Sequence, residues 1–222
     1  VNFFSTIKLR LQNSITLETG SKLRIDPNAK VRKCIIKATN VNQSSIEIEH
    51  SASVRRCKIV VEGRNNKLII EKGCQLQNLL IEVLGEDCAL IIGKDTRNTG
   101  EGKISCQEKG TTLRIGANSL LAKGVTILTS DGHDILEHGQ RINPAKDILL
   151  EEHVWLGQDV IVLKGAKIGS GSVIGARSVV SGVIPSQSIA VGSPAKVIKQ
   201  GITWDSALTF AKESESPESY TV

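Results

Sequence analysis

From residue 148 onward the chain repeats with a period of six. Every sixth residue from Leu150 gives Leu150, Leu156, Val162, Ile168, Ile174 and Val180, an unbroken aliphatic column. A helix returns its apolar face every 3.6 residues and a half-buried strand every two, so neither accounts for a column that returns at six. Two positions ahead of these stand Ile148, Val154, Val160, Ala166, Ser172 and Ser178, a second column that shrinks towards its end. Glycine follows the first column at Gly157, Gly169 and Gly175. Six residues therefore hold one inward aliphatic side chain, a short strand and a corner, with residues tolerant of positive φ at the corners. Three such sides close one coil, and stacked coils bury the columns against one another, each coil touching only its neighbours.

The first half carries a longer version of the same unit. SKLRIDPNA, SSIEIEHSA, NKLIIEKGC, CALIIGKDT and TTLRIGANS align on Leu23, Ile46, Leu68, Leu90 and Leu113, at spacings of 23, 22, 22 and 23. A second apolar run follows in VRKCII, VRRCKIVV and LQNLLIEV. These read as coils with four or five extra residues at a corner. The expected fold is all-β: one continuous single-stranded parallel β-helix of about ten coils over residues 1–204, with longer coils to about residue 110 and hexapeptide coils after. At about 4.8 Å per coil, that is a rod on the order of 50 Å long. A tail, 205–222, follows, with one short helix near 207–212 and Trp204 covering the last coil. The pattern breaks once, at residues 129–147 (TSDGHDILEHGQRINPAKD), a protruding loop that carries His133, His138 and Arg141. An insertion that leaves a regular scaffold is where a repeat protein most often carries function.

Composition agrees with stacked aliphatic ladders. Aromatic residues make up 3% against 40% hydrophobic, so the core is built from Ile, Val and Leu. No run approaches a membrane span, and VNFFSTIKLRLQ lacks a signal-peptide core, so a soluble cytoplasmic protein is expected. The five cysteines show no metal-type spacing and read as small buried residues, with Cys34 and Cys57 stacked in neighbouring coils. The net charge is +5, yet residues 205–222 hold four acids against one lysine, which leaves +8 on residues 1–204. A basic body of this kind points towards a polyanionic partner or is merely solvated surface.

Within this pattern VWLG, SVIGARSVV and GSPAKVIK closely resemble the C-terminal signature of the hexapeptide-repeat acyltransferases, over about residues 111–204. The chain is similar in particular to bacterial enzymes that O-acetylate surface polysaccharides, including polysialic acid capsules. The resemblance implies a left-handed coil, a homotrimer with sites between subunits, acetyl-CoA as cosubstrate, no metal, and a carbohydrate hydroxyl as acceptor, with a polyanionic glycan favoured by the charge. No nucleic-acid partner is expected. SDGHDI matches the segment holding the family's catalytic histidine, which makes His133 the general base, with Asp131, Asp134 or a backbone carbonyl to fix its tautomer. Trp155, next to inward Leu156, faces outward and lines the groove beside pantetheine and acceptor. Gly157 lets a backbone N–H approach the thioester carbonyl, although turn geometry explains this glycine equally well. Gly175 and Ala176 pair with the pantetheine amides, Ser181 falls where the family carries Thr or Ser, and Lys196 and Lys199 hold the nucleotide phosphates.

Other readings are open at this point. A γ-class carbonic anhydrase shares the β-helix, and His133 and His138 have its H-x4-H separation. Its third ligand is the difficulty, because His50 lies 83 residues upstream and His153 follows the pair. An acetyltransferase with a small-molecule acceptor and a non-catalytic scaffolding solenoid complete the alternatives.

Overall fold

The structure, a computed structural model, describes residues 12–207. Its strands wind into a three-sided parallel solenoid. The first face runs from Ser14–Leu17 through Ile35–Asn42, Lys58–Arg64, Leu79–Glu86, Gly102–Gln107, Thr126–Leu128 and Ile161–Leu163 to Val179–Val180. The second runs from Lys22–Ile25 to Val183–Ile184, and the third from Lys30–Arg32 to Ser188–Gly192. Eight coils result among the described residues, not about ten, and at about 4.8 Å per step the stack is about 34 Å long. The difference has a physical cause: the 129–147 loop and a final return strand consume chain without adding a coil.

The register fulfils the alignment of the long repeats, because Leu23, Ile46, Leu68, Leu90 and Leu113 are consecutive partners on the second face. The six-residue column resolves into three ladders, one per face. Ile115 pairs with Leu150 and that with Ile168; Leu121 with Leu156 and that with Ile174; Ile127 with Val162 and that with Val180. All of these side chains are buried. A period of six thus arises because successive column residues visit successive faces, each pointing inward.

The smaller column fills the corners. Val154, Val160 and Ala166 are buried there, and where the column ends in serine the hydroxyls are used: Ser172 donates to the Pro185 carbonyl at 2.8 Å, and Ser178 accepts from the Gly192 N–H at 3.0 Å. A polar group buried without a partner costs about 1–3 kcal/mol, which these bonds avoid. In the long coils Asn66 does the same work, donating to the Glu62 and Gly85 carbonyls and accepting from the Cys88 N–H. Cys34 and Cys57 occupy one corner position in adjacent coils, joined through the Ile35 N–H to Cys57 carbonyl bond. All five thiols are free and buried, and burial pushes Cys74 up to about 12.

The extra residues of the long coils lie mainly in the strands. They lengthen the first-face strands, so that Leu79–Glu86 spans eight residues where Thr126–Leu128 spans three. The long strands bend at Gly63 and Gly85, with φ of +102° and +130°. The solenoid ends when Ala195–Gln200 turns back antiparallel on Ser188–Gly192 and covers that edge strand. Trp204 does not cover the last coil as expected; it reaches back along the third face to His153. Most of the helix expected near 207–212 lies outside the described residues.

Gly63 offers a test of the stacking. A Cβ there would lie 1.8 Å from the Gly85 carbonyl oxygen, whereas one at Gly132, also at positive φ, would meet nothing within 4 Å. Gly63→Ala is expected to destabilise by more than the roughly 1–3 kcal/mol of backbone strain alone, and Gly132→Ala by no more than that strain. Thermal unfolding of the two variants side by side measures the difference, and equal midpoints would show that the coils yield at this bend.

Candidate active site

The break in the hexapeptide pattern emerges at the corner between the first and second faces. Its neck is closed by the ladder itself: the Lys146 N–H donates to the Thr129 carbonyl at 3.1 Å, and the Thr112 N–H to Asp147 Oδ1 at 2.7 Å. Beyond the neck, Leu136–Glu137 and Gln140–Arg141 form a two-residue hairpin. His138 and Gly139 both take positive φ there, as a type I′ turn requires.

Asn143 is the hub of this loop. It is buried, donates from Nδ2 to Asp131 Oδ2 (2.7 Å) and to the His133 carbonyl (2.8 Å), and accepts the Ile135 N–H at Oδ1 (2.7 Å). Lys164, from the next coil, reaches Asp131 and donates to the Asn143 carbonyl at 2.9 Å. Arg141 joins Glu108 at 2.7 Å and Asp134 at 2.9 Å, and Ser130 donates to the same Glu108 oxygen. The Arg141 hydrogen bond holds the Glu108 carboxyl down to about 2, against the upward pull of partial burial and with help from Ser130. Lys164 and Asn143 likewise lower Asp131.

His133 is thereby fixed through its backbone while its exposed side chain borders a groove of about 630 Å³, shared with Gly63, Leu84, Gly85, Gln107 and Glu108. The lengthened first-face strands form the floor of this groove. Neither flanking carboxylate orients the imidazole, since Asp131 is bonded to Lys164 and Asn143 and Asp134 to Arg141. The sequence signals for Asn143, Lys164 and Glu108 are weak, because each acts through a partner twelve or more residues away or through a backbone atom.

The other predicted residues lie elsewhere on the prism. Arg97, Leu120, Trp155, Val173, Ile189 and Lys199 are successive partners along the third face and form one outward row. Lys196 lies opposite Val191, two positions beyond Ile189. A spacing of three in a regular strand would send Lys196 and Lys199 to opposite sides. The register shift between Ile189 and Ala190 restores them to the same outer side.

Trp155 is exposed as expected, with its ring centroid 5.8 Å from that of Trp204. Trp204 stacks on His153 at 4.0 Å and donates from Nε1 to the His153 carbonyl at 2.9 Å, while His153 Nε2 lies 3.0 Å from the Trp204 carbonyl. As one of only two tryptophans, Trp204 was the available signal for this contact.

Gly157 requires a correction. Its N–H donates to the Ile174 carbonyl at 2.8 Å, so the coil ladder already uses it, and a Cβ there would lie 2.8 Å from the Ala176 nitrogen. Close packing of coils accounts for this glycine, and its amide is not open to a thioester oxygen within this chain. Gly175 likewise donates to Ala190. Ala176 sits exposed at the corner between the third and first faces, whereas Ser181 sits exposed at the corner between the first and second, the corner from which the His133 loop emerges.

The residues therefore fall into two sets, His133 with Ser181 and Trp155 with Gly175, Ala176, Lys196 and Lys199. Within one chain the prism keeps the two sets on different sides. The histidines of the hydratase reading are also dispersed: His50 pairs with Asp26 at 3.5 Å, His153 with Trp204, and His138 occupies the hairpin tip. Among the described residues no three His, Cys, Asp or Glu side chains gather in a metal-binding group, and no helix is long and apolar enough to cross a membrane.

Comparisons with known proteins agree with the repeat and the fold. Residues 147–182 match the family described as bacterial transferase hexapeptide (six repeats). The chain is 32% identical over 144 residues to a polysialic acid O-acetyltransferase of Neisseria meningitidis, covering 55% of this chain and 66% of that protein. It is 36% identical over 137 residues to one of Escherichia coli O1:K1, covering 61% and 43%. The chain thus spans less than two thirds of the length of these curated relatives. In structure it superposes on the polySia-specific acetyltransferase NeuO with a TM-score of 0.74 at 29% identity, covering 91% of this chain and 92% of that one. The corresponding values for the polysialic acid O-acetyltransferase OatWY are 0.71, 27%, 92% and 96%. Residues 147–182 thus carry the hexapeptide repeat of bacterial transferases, and the chain has the parallel-solenoid fold of the left-handed β-helix acetyltransferases.

Proposed function

We propose that the protein transfers acetyl from acetyl-CoA to a hydroxyl of a bacterial surface polysaccharide, with an anionic, sialic-acid-type glycan as acceptor. The observation that carries this reading is His133, held by its backbone on a rigid loop and presented to an open groove. The two polysialic acid O-acetyltransferase structures that superpose along nine tenths of the chain support it. His133 removes the hydroxyl proton as oxygen attacks the thioester carbonyl and returns a proton to the departing thiolate. No cysteine serves as a nucleophile, since all five are buried in the coil interior.

Lys196 and Lys199, exposed on one side of the last strand, bind the nucleotide phosphates of the coenzyme. The exposed Ala176 backbone pairs with the pantetheine amides, beside Gly175, and Ser181 contacts the donor from the neighbouring copy's side. Because the two sets of residues lie on different sides of one prism, a working site takes His133 and Ser181 from one subunit and the Trp155 face from the next, in a cyclic trimer. The anionic acceptor is supported by Arg32 and Arg55, register partners on the third face. Like charges so placed repel unless an anion lies across them.

Three outcomes follow from this reading. His133→Ala is expected to lower turnover by about 10²-fold or more while leaving the acetyl-CoA KM nearly unchanged. Unfolding and refolding it together with Trp155→Ala should restore about a quarter of wild-type activity, since a site with one intact half from each subunit then forms by chance. Steady-state kinetics of the separate and co-refolded variants decide this, and no recovery on mixing would place the whole site in one chain.

Lys196→Ala/Lys199→Ala should raise the acetyl-CoA KM and spare kcat, because phosphates remote from the reacting carbon are held equally in ground and transition states. An unchanged donor KM would remove both lysines from the site.

The third concerns acid. Glu108 has its carboxyl lowered from the ordinary 4.5 to about 2, so its pairing stabilises the loop fully above 4.5 and is lost as pH falls from there towards 2. Glu108→Gln should therefore lower the thermal midpoint at neutral pH and flatten its decline in that acid range. An unchanged acid limb in this variant would show that the Arg141 pair does not hold the loop.

A further inference from the structure

The third face carries a cavity of about 340 Å³ that the catalytic scheme does not use. Gly73, Gln75, Arg97, Asn118, His153 and Trp204 line it. This volume falls at the lower end of ligand pockets, about 300–1,000 Å³. Its aromatic wall is built, since Trp204 is stacked on His153 and bonded to it at both ends. Arg97 is exposed and makes no ion pair among the described residues. Asp95 and Asp205 also line the cavity and offer acceptors to hydroxyl groups.

We infer that this cavity is a subsite for a sugar unit of the acceptor chain other than the unit that reacts, and the inference rests on the acetyl-transfer reading above. An aromatic platform, carboxylates and amides for hydroxyls, and one unpaired guanidinium together suit a pyranose that bears a carboxylate. Position makes it part of the same track as the reaction. Arg97 and Trp155 stand in one outward row with Leu120 between them, two strand spacings or about 10 Å apart. Beyond Arg97 the row continues through Gln75 and Ser53 to Lys30, beside a second cavity of about 460 Å³ lined by Lys30, Arg32 and Arg55. A glycan lying along the solenoid axis thus passes Trp155, then the Arg97 cavity, then the arginine column. The cavity selects for chain length as well as for charge.

The experiment uses the full chain and sialic acid oligomers from dimer to octamer, with dextran oligomers as the neutral control. Arg97→Ala should raise the KM of the octamer by about tenfold or more and leave unchanged the KM of the shortest productive acceptor, the acetyl-CoA KM and kcat; tenfold corresponds to about 1.4 kcal/mol. Binding is read separately. The chain has two tryptophans, so in a Trp155→Phe background Trp204 alone fluoresces, and the octamer without acetyl-CoA should quench it saturably. Saturable quenching that Arg97→Ala abolishes, with no acetyl transfer by the wild-type chain to any oligomer, would keep the subsite and remove the acetyltransferase reading. No quenching, or an Arg97→Ala effect equal for short and long acceptors, overturns the subsite. Equal quenching by dextran overturns its preference for an anionic unit.

Discussion

The constraint on which this structure depends is the hydrogen-bonded register between consecutive coils. Each inward aliphatic residue pairs with one in the coil above and one below, and a slip of one residue would turn every such side chain to solvent. Chain that does not fit the coil must therefore leave the stack and return to it at the same rung. The 129–147 segment does so between Leu128 and Ile148, closing its neck with the Lys146 to Thr129 bond and the Thr112 to Asp147 bond. The loop inherits the rigidity of the scaffold at its base. Asn143, Lys164 and the Glu108–Arg141 pair carry that rigidity outward to His133. The base role proposed for His133 needs this, since effective proton transfer depends on a fixed distance to the attacking oxygen.

The solenoid was legible because its physics is local and repeated. A six-residue period in Leu150, Leu156, Val162 and their successors, and a 22- to 23-residue period in Leu23 and its successors, are statements about which side chains share a ladder, and the register reproduces them. The loop was legible as an interruption; the structure sets His133 beside a groove, and its proposed role still rests on the SDGHDI motif. What stayed hidden involves pairings across distance. Glu108 meets Arg141 33 residues on, and Lys164 meets Asp131 at the same separation. Sequence does not say whether a strand or a turn absorbs the extra residues of the long coils; a corner is expected, and the structure has most of them in strand. Glycine at a corner is compatible with both an oxyanion donor and a coil corner, and only the bond of the Gly157 N–H to Ile174 separates the two.

A three-sided prism also limits what one chain can do. A face looks in one direction, and residues on different faces converge only across a cleft made by another copy. His133 and Ser181 share one corner, whereas Trp155 and the two lysines share the third face. The lysines share it only because the register shift beside Ile189 offsets their odd spacing. That irregularity gives up one ladder position at the end of the solenoid, where no further coil has to be stacked and an imperfect rung is least costly.

Electrostatics follows the same geometry. In a solenoid, residues separated by one repeat in sequence become neighbours about 4.8 Å apart, so a charge retained at one repeat position becomes a column. Along the long coils several basic residues meet an acid on the neighbouring rung: Arg24 with Glu47, Lys103 with Glu82, Arg64 with Glu86. The third face departs from this rule, since Arg32 stands beside Arg55 and the next rung offers only Gln77, 3.4 Å from the Arg55 guanidinium. Exposed pairs contribute little to stability, so these are ordinary surface. At Arg32 and Arg55 the neighbouring rungs leave positive charge without a carboxylate partner. It lies on the face that also carries Arg97, Trp204 and Trp155, so the uncompensated charge, the aromatic wall and the exposed tryptophan all look in one direction.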